Sequence, residues 1–336
     1  MSIVKIDPYM IEPLEIDGYS ITANANVIFN SLTGRVEMSA YTRGFGGDVS
    51  GYTSGGKNPT TVNTIDKFPF TANGNATDVG DLSQVRSRLA GQSSSTNGYT
   101  SGGAYAPFTP TTRIDRFSFA SGGNASYIAN ITVGRYLVTG QSSREHGYTS
   151  AGFINPPATN YNIIDKFPFA TVTNASDVGD LTASRYGTAG QNSSTHGYNS
   201  GGNPNPVNTI DKFPFASNGN ATDVGNLTER RYYAAGQSSS THGYTSGGLN
   251  DSGNDSNIID KFPFASDFSA SDVGDLTVTR HTPAGQSSIT HGYTSGGLIP
   301  TAYQNVIDKF PFSSNANATD VGDLTQIRQR VAGQQV

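Results

Sequence analysis

Apolar and polar positions along the chain alternate in short runs cut by Gly, Asn, Ser and Pro, and the same order of runs returns six times. A Gly-Tyr pair marks each return, at Gly51-Tyr52, Gly98-Tyr99, Gly147-Tyr148, Gly197-Tyr198, Gly243-Tyr244 and Gly292-Tyr293. The pairs are separated by 47, 49, 50, 46 and 49 residues, inside the range of a propeller blade. Each pair opens GYTSGG or a near copy. A variable loop follows, then IDKFPF, an Asn-Ala-Ser/Thr turn, DVGDLT, an Arg and AGQSS. Four extended runs per period, parted by turn-forming residues, predict a four-stranded antiparallel blade. Six such blades predict an all-β, six-bladed propeller.

Two segments compete to close the ring, because seven candidate first strands serve only six copies of strands two to four. SAYTRGFGG (39–47) lacks the Arg and the Gln of the repeat, whereas IRQRVAGQQ (327–335) keeps the Arg and Ala-Gly-Gln. The expected arrangement is therefore a propeller over 48–336 closed by 327–335. Residues 1–47 form a separate β-rich appendage.

An up-and-down meander places the one–two and three–four turns on one face of the disk and the two–three and four–one loops on the other. The copies within this chain differ sharply between those faces. The one–two turn is close to Ser-Thr-His-Gly throughout, with His146, His196, His242 and His291, and with Asn97 and Ser50 as substitutes. The three–four turn holds Asn75, Asn124, Asn174, Asn220 and Asn317. The two–three loop changes in every blade, from KNPTTVN through AYAPFTPTT to LIPTAYQN. Stacking fixes what repeats share, and partner contact leaves the rest free to vary. The variable face is thus the expected binding face, with Tyr105, Phe108, Phe153, Tyr161 and Tyr303 as candidate contacts. Aromatic rings offer broad apolar area at small entropic cost.

Composition narrows the picture. The formal net charge is −5 with no concentrated basic stretch, which argues against a nucleic-acid partner. No cysteine is present, so thiolate metal sites and Cys nucleophiles are excluded. No uninterrupted apolar run approaches the ~18 residues of a membrane helix, and the N-terminus has no apolar core of a secretory signal.

The chemistry-bearing residues recur in every copy, which suits a structural role better than catalysis. The Asp of IDKFPF stands at Asp66, Asp115, Asp165, Asp211, Asp260 and Asp308, and the repeated Arg at Arg86, Arg135, Arg185, Arg231, Arg280 and Arg328. A buried carboxylate requires a partner, and the expectation is an Arg–Asp pair in each blade. The paired acids of DVGDL are expected to cap turns, and the recurring His to lie on the surface. The Asn-x-Ser/Thr sequons read as turn residues. No catalytic residue, cofactor or metal is expected.

The motif Arg, first strand, aromatic-x-x-Gly-Gly (Tyr52-Thr-Ser-Gly55-Gly56), third strand and fourth strand resembles the kelch repeat. Ala151 replaces the first Gly in the third blade, and the Trp common in kelch fourth strands is missing from the chain. Galactose oxidase, an enzyme with this blade type, depends on a Cys–Tyr crosslink beside copper, which this chain cannot form. The wording of the repeat over 51–336 also resembles kelch-like proteins encoded by marine bacteriophages. That resemblance implies a virion structural protein (tail fibre, tail-associated or capsid-decorating) made in the host cytoplasm and oligomeric on the particle. Residues 1–47 would bind other virion proteins, and the variable face would meet a host glycan or surface protein. The alternative is a lectin or protein-interaction propeller outside any virion.

Overall fold

Each period forms one antiparallel sheet, and the reason is local: Gly, Ser and Asn break the chain wherever an extended run has crossed the disk. A computed structural model describes residues 47–336, together with the backbone of four short strands nearer the N-terminus. Leu14–Ile16 pairs with Tyr19–Ile21, and Asn26–Asn30 with Arg35–Ser39. The chain divides into two units, Met1–Arg43 and Gly44–Val336. Apart from those strands and Gly47, the segment 1–47 expected to serve as an anchor lies outside the described residues.

The second unit is a six-bladed β-propeller. In the second blade, Ala90–Ser93 is innermost, followed outward by Asn97–Ser101, Arg113–Ser118 and Ser126–Asn130. The other blades repeat this order. The first blade is completed by the C-terminal strand Ala332–Gln335, which pairs antiparallel with Ser50–Ser54. Gly47 and Val49 adjoin Ser287 and Val336, so the chain enters the ring beside a one–two turn.

Glycine at three positions lets the strands approach closely. On the innermost strands, Gly91, Gly140, Gly190, Gly236, Gly285 and Gly333 face one another's carbonyl oxygens around the axis. A Cβ on any of them would overlap the neighbour's backbone. On the second strand, the Gly of each Gly-Tyr pair lies opposite the first Phe of IDKFPF, as with Gly51 and Phe68, and the ring covers it. The third is the outer-strand Gly of DVGD, which abuts the next blade's three–four turn, as Gly80 does Gly123.

Blades are joined by a repeated set of side chains. The Tyr of one blade inserts against both Phe of the next: Tyr52 stands 5.5 Å from Phe117 and 4.8 Å from Phe119. Burying such rings contributes about 1.5–3 kcal/mol each. The inner-strand Gln reaches into the adjacent blade's second strand, where Gln92 Nε2 donates to the Tyr148 carbonyl at 2.9 Å. Gln286 closes the circle by donating to Tyr52. At the rim, Asn124 Oδ1 accepts from the Asp81 amide of the preceding blade, and Asn75, Asn174, Asn220 and Asn317 do the same. Ser269 takes that place in the fifth blade.

Candidate binding face and its axial mouth

The two faces are built differently. On the uniform face, each three–four turn is hydrogen-bonded to a one–two turn, as when the Phe119 amide donates to Thr96. The His carbonyls accept from Ser amides in these hairpins, and Thr195, Thr241 and Thr290 each bond the Nδ1 of the following His at 2.8 Å. Burial, followed by a nearby Lys, holds His146, His196, His242 and His291 below the ordinary imidazole range. On the opposite face, the two–three loops pair with the connectors entering their own blades. Ser87 bonds Ala104, Tyr136 bonds Phe153, Tyr186 bonds Asn203 and His281 bonds Leu298.

Beneath each variable loop lies one Arg–Asp pair. The distances are 3.0 Å for Arg86–Asp115, 2.9 Å for Arg135–Asp165, Arg185–Asp211 and Arg280–Asp308, and 2.8 Å for Arg231–Asp260 and Arg328–Asp66. A β-bulge beside the Asp, between Ile114 and Asp115 for instance, interrupts the ladder and aims the carboxylate at the connector. There it also accepts from a Ser or Thr: Asp165 takes the Thr132 amide at 3.1 Å and its hydroxyl at 2.6 Å. The guanidinium in turn satisfies backbone carbonyls, those of Ala151 and Thr149 in the case of Arg135. These twelve residues thus fasten each incoming connector to its blade's third strand. The first acid of DVGD caps its own bulge, with Asp78 Oδ1 accepting from the Gly80 amide.

The five loop aromatics are placed unequally. Phe108 is 54 % exposed and lies 4.6 Å from the Arg88 guanidinium. Phe153 is half-buried between Tyr136 and Tyr186, at centroid distances of 5.6 and 5.0 Å. Tyr105, Tyr161 and Tyr303 are half-buried. The Tyr161 backbone bonds Gly152 and Arg185, tying it to the base of its loop.

Sequence reasoning missed the residues nearest the axis. Two positions after each repeated Arg stand Arg88, Leu137, Gly187, Tyr233, Thr282 and Arg330, and all six have positive φ, from 56° to 65°. Their backbones form a closed circle: Leu137 N–H donates to Arg88, Gly187 to Leu137, Tyr233 to Gly187, Thr282 to Tyr233, Arg330 to Thr282 and Arg88 to Arg330. Glycine is the residue this conformation favours, and each side chain here costs on the order of 1 kcal/mol. The three residues after each repeated Arg vary in every copy, so variation in the sequence does not by itself single out this position.

Above the axial glycines, these residues frame a funnel of about 130 Å³ floored by Ala90, Thr139, Ala189, Ala235, Ala284 and Ala332. Below them lies a smaller polar hollow lined by Gln, Ser, Asn and the same glycines. Among the described residues, no carboxylate stands within ion-pair distance of Arg88 or Arg330, and the buried Nε of each lacks a partner. Burial and then the charge of Arg330 bring Arg88 down to about 10. Burial lowers Arg330 as well and pushes the Tyr233 hydroxyl up to about 12. The mouth is therefore a partly desolvated cationic site in a chain of net negative charge.

No protein-family model matches this chain, and no curated protein is similar to it.

Proposed function

We propose that this protein is a non-catalytic recognition propeller of the kelch type, built into a phage particle and presenting its variable face to a host surface. The observation that carries the reading is the contrast between the faces. One is held to near-identity by hairpin and blade-to-blade hydrogen bonds, while the other changes its loops and axial residues from blade to blade. A ring that needs only stability has no use for five non-Gly residues in left-handed conformation around its axis. The chemistry-bearing Arg and Asp are consumed in structure, which favours binding over catalysis.

The kelch assignment is supported by the Arg, aromatic-x-x-Gly-Gly and closing-strand pattern on a six-bladed ring, and the virion setting by the wording of the repeat. Peptide mass spectrometry of purified particles tests that setting. The expected result is this chain at a copy number matching tail or capsid symmetry; its absence would move the protein to the lectin or protein-interaction reading. Deleting 1–47 is expected to leave a folded ring that no longer joins particles, and continued incorporation would refute the anchor role.

A further inference from the structure

We infer that the axial mouth is a binding site for one acidic sugar residue, with Arg88 and Arg330 holding its carboxylate or sulfate and Tyr233 meeting its ring. The inference deepens the recognition reading above and rests on it.

The backbone requirement at the six axial positions is the same in every blade: one φ range and one link of the hydrogen-bonded circle. The fold alone would be served by glycine at all six, yet only Gly187 is glycine. That exception also has a visible reason, since a Cβ there would come within 2.6 Å of the Tyr233 ring. Gly187 lets that ring lie across the mouth. The departures from glycine therefore require a cause other than the ring itself.

Their chemistry is not random around the circle. Arg330 and Arg88 are neighbours in it and form one cationic side. Tyr233 lines the mouth, and a chain of ring contacts joins it through Tyr186, Phe153 and Tyr136 to Arg88, with separations of 6.3, 5.0, 5.6 and 5.2 Å, while His281 lies 6.4 Å from Tyr233. Two guanidinium groups without acids call for an anion, because desolvated charge is retained only when it is paired. The floor, alanine in five blades and Thr139 in the other, and the Tyr233 ring favour an anion carried on a compact ring with an apolar face. A volume of about 130 Å³ is close to the ~150 Å³ cavity known to take a benzene-sized ring. A pyranose bearing a carboxylate or sulfate meets all three conditions, whereas an extended acidic peptide would leave the ring-shaped floor unfilled.

The test titrates the full chain with methyl glucuronide, glucose 6-sulfate, neutral methyl glucoside and an oligo-glutamate peptide, read by saturation-transfer NMR. At least one acidic sugar is expected to bind about tenfold or more tightly than the neutral one. Preference between the two acidic sugars distinguishes carboxylate from sulfate. The double variant Arg88→Gly/Arg330→Gly is expected to lose binding by about tenfold to a hundredfold while its thermal midpoint stays level or rises, since glycine suits these φ values. Equal binding of neutral and acidic sugars, unchanged binding in the double variant, no binding of any sugar, or tighter binding of the peptide would each overturn the assignment. Adsorption to host cells separates this failure from that of the broader reading. If the double variant still adsorbs but a Phe108→Ser/Phe153→Ser variant does not, the ligand class is wrong and the face is right.

Discussion

Removing the acid from one buried pair should cost far more than removing an acid from the surface. Asp165 and Arg135 are both fully buried, and the carboxylate accepts from the guanidinium, the Thr132 amide and the Thr132 hydroxyl. Asp165→Ala would leave Arg135 charged, buried and without a counter-ion, a defect that costs about 3–5 kcal/mol. Thr132 is exposed and can turn to water, so its lost bonds should add no more than about 1 kcal/mol. Asp165→Asn keeps an acceptor without the charge and should fall between that variant and wild type. Asp267→Ala provides the control: Asp267 is 58 % exposed and its ion pair with Lys212 should be worth less than about 1 kcal/mol. Denaturant unfolding of the full chain reads each loss as a shift in midpoint. A double-mutant cycle with Arg135→Met isolates the pair, whose coupling should be about 2–3 kcal/mol. A loss below about 1 kcal/mol for Asp165→Ala, or no coupling with Arg135, would refute the view that these pairs fasten the connectors.

Three further outcomes follow from the same framework. Gly140→Ala should destabilise the ring by about 1–3 kcal/mol, because its methyl meets the Gly91 carbonyl, and thermal melting will show it. Truncating 332–336 removes the first blade's inner strand together with the Gln334 bond to Tyr99, and should yield an open, protease-sensitive chain without the near-ultraviolet signature of packed tyrosines. Burial raises Tyr52, Tyr148, Tyr198 and Tyr244 from 10.0 to about 12. Folding favours the neutral phenol, so this contribution is complete below pH 10 and lost as pH climbs toward 12. The denaturation midpoint should fall in that window as phenolate absorbance rises; a flat midpoint would contradict it.

The fold was readable because its requirements repeat. Six Asp and six Arg, one of each per period, point to a pair even before a strand is placed, and Ala-Gly-Gln at 332–334 marks the inner strand that the first blade lacks. The uniform Asn of the three–four turn was legible as a turn residue, but its bond to the preceding blade was not, since a linear sequence does not say which edges meet. The variable loops were legible in the sequence, and the placement of their individual aromatics was not: Phe108 is open, while Tyr161 is bound into its loop base. The axial mouth escaped notice for a physical reason. Its residues sit among three variable positions between Arg and the inner strand, and what sets them apart is a positive φ that only the folded backbone reveals.

The most direct test of one-sided recognition compares two full-chain variants for adsorption to intact host cells. One changes the variable face, with Phe108→Ser, Phe153→Ser and Tyr303→Ser; the other changes the uniform face, with His146→Ser, His196→Ser, His242→Ser and His291→Ser. Both sets leave the Arg–Asp pairs and the axial glycines intact, and matching melting curves would confirm that both rings are folded. The first variant is expected to lose adsorption and the second to keep it. Loss in the second with retention in the first would contradict the assignment of the binding face.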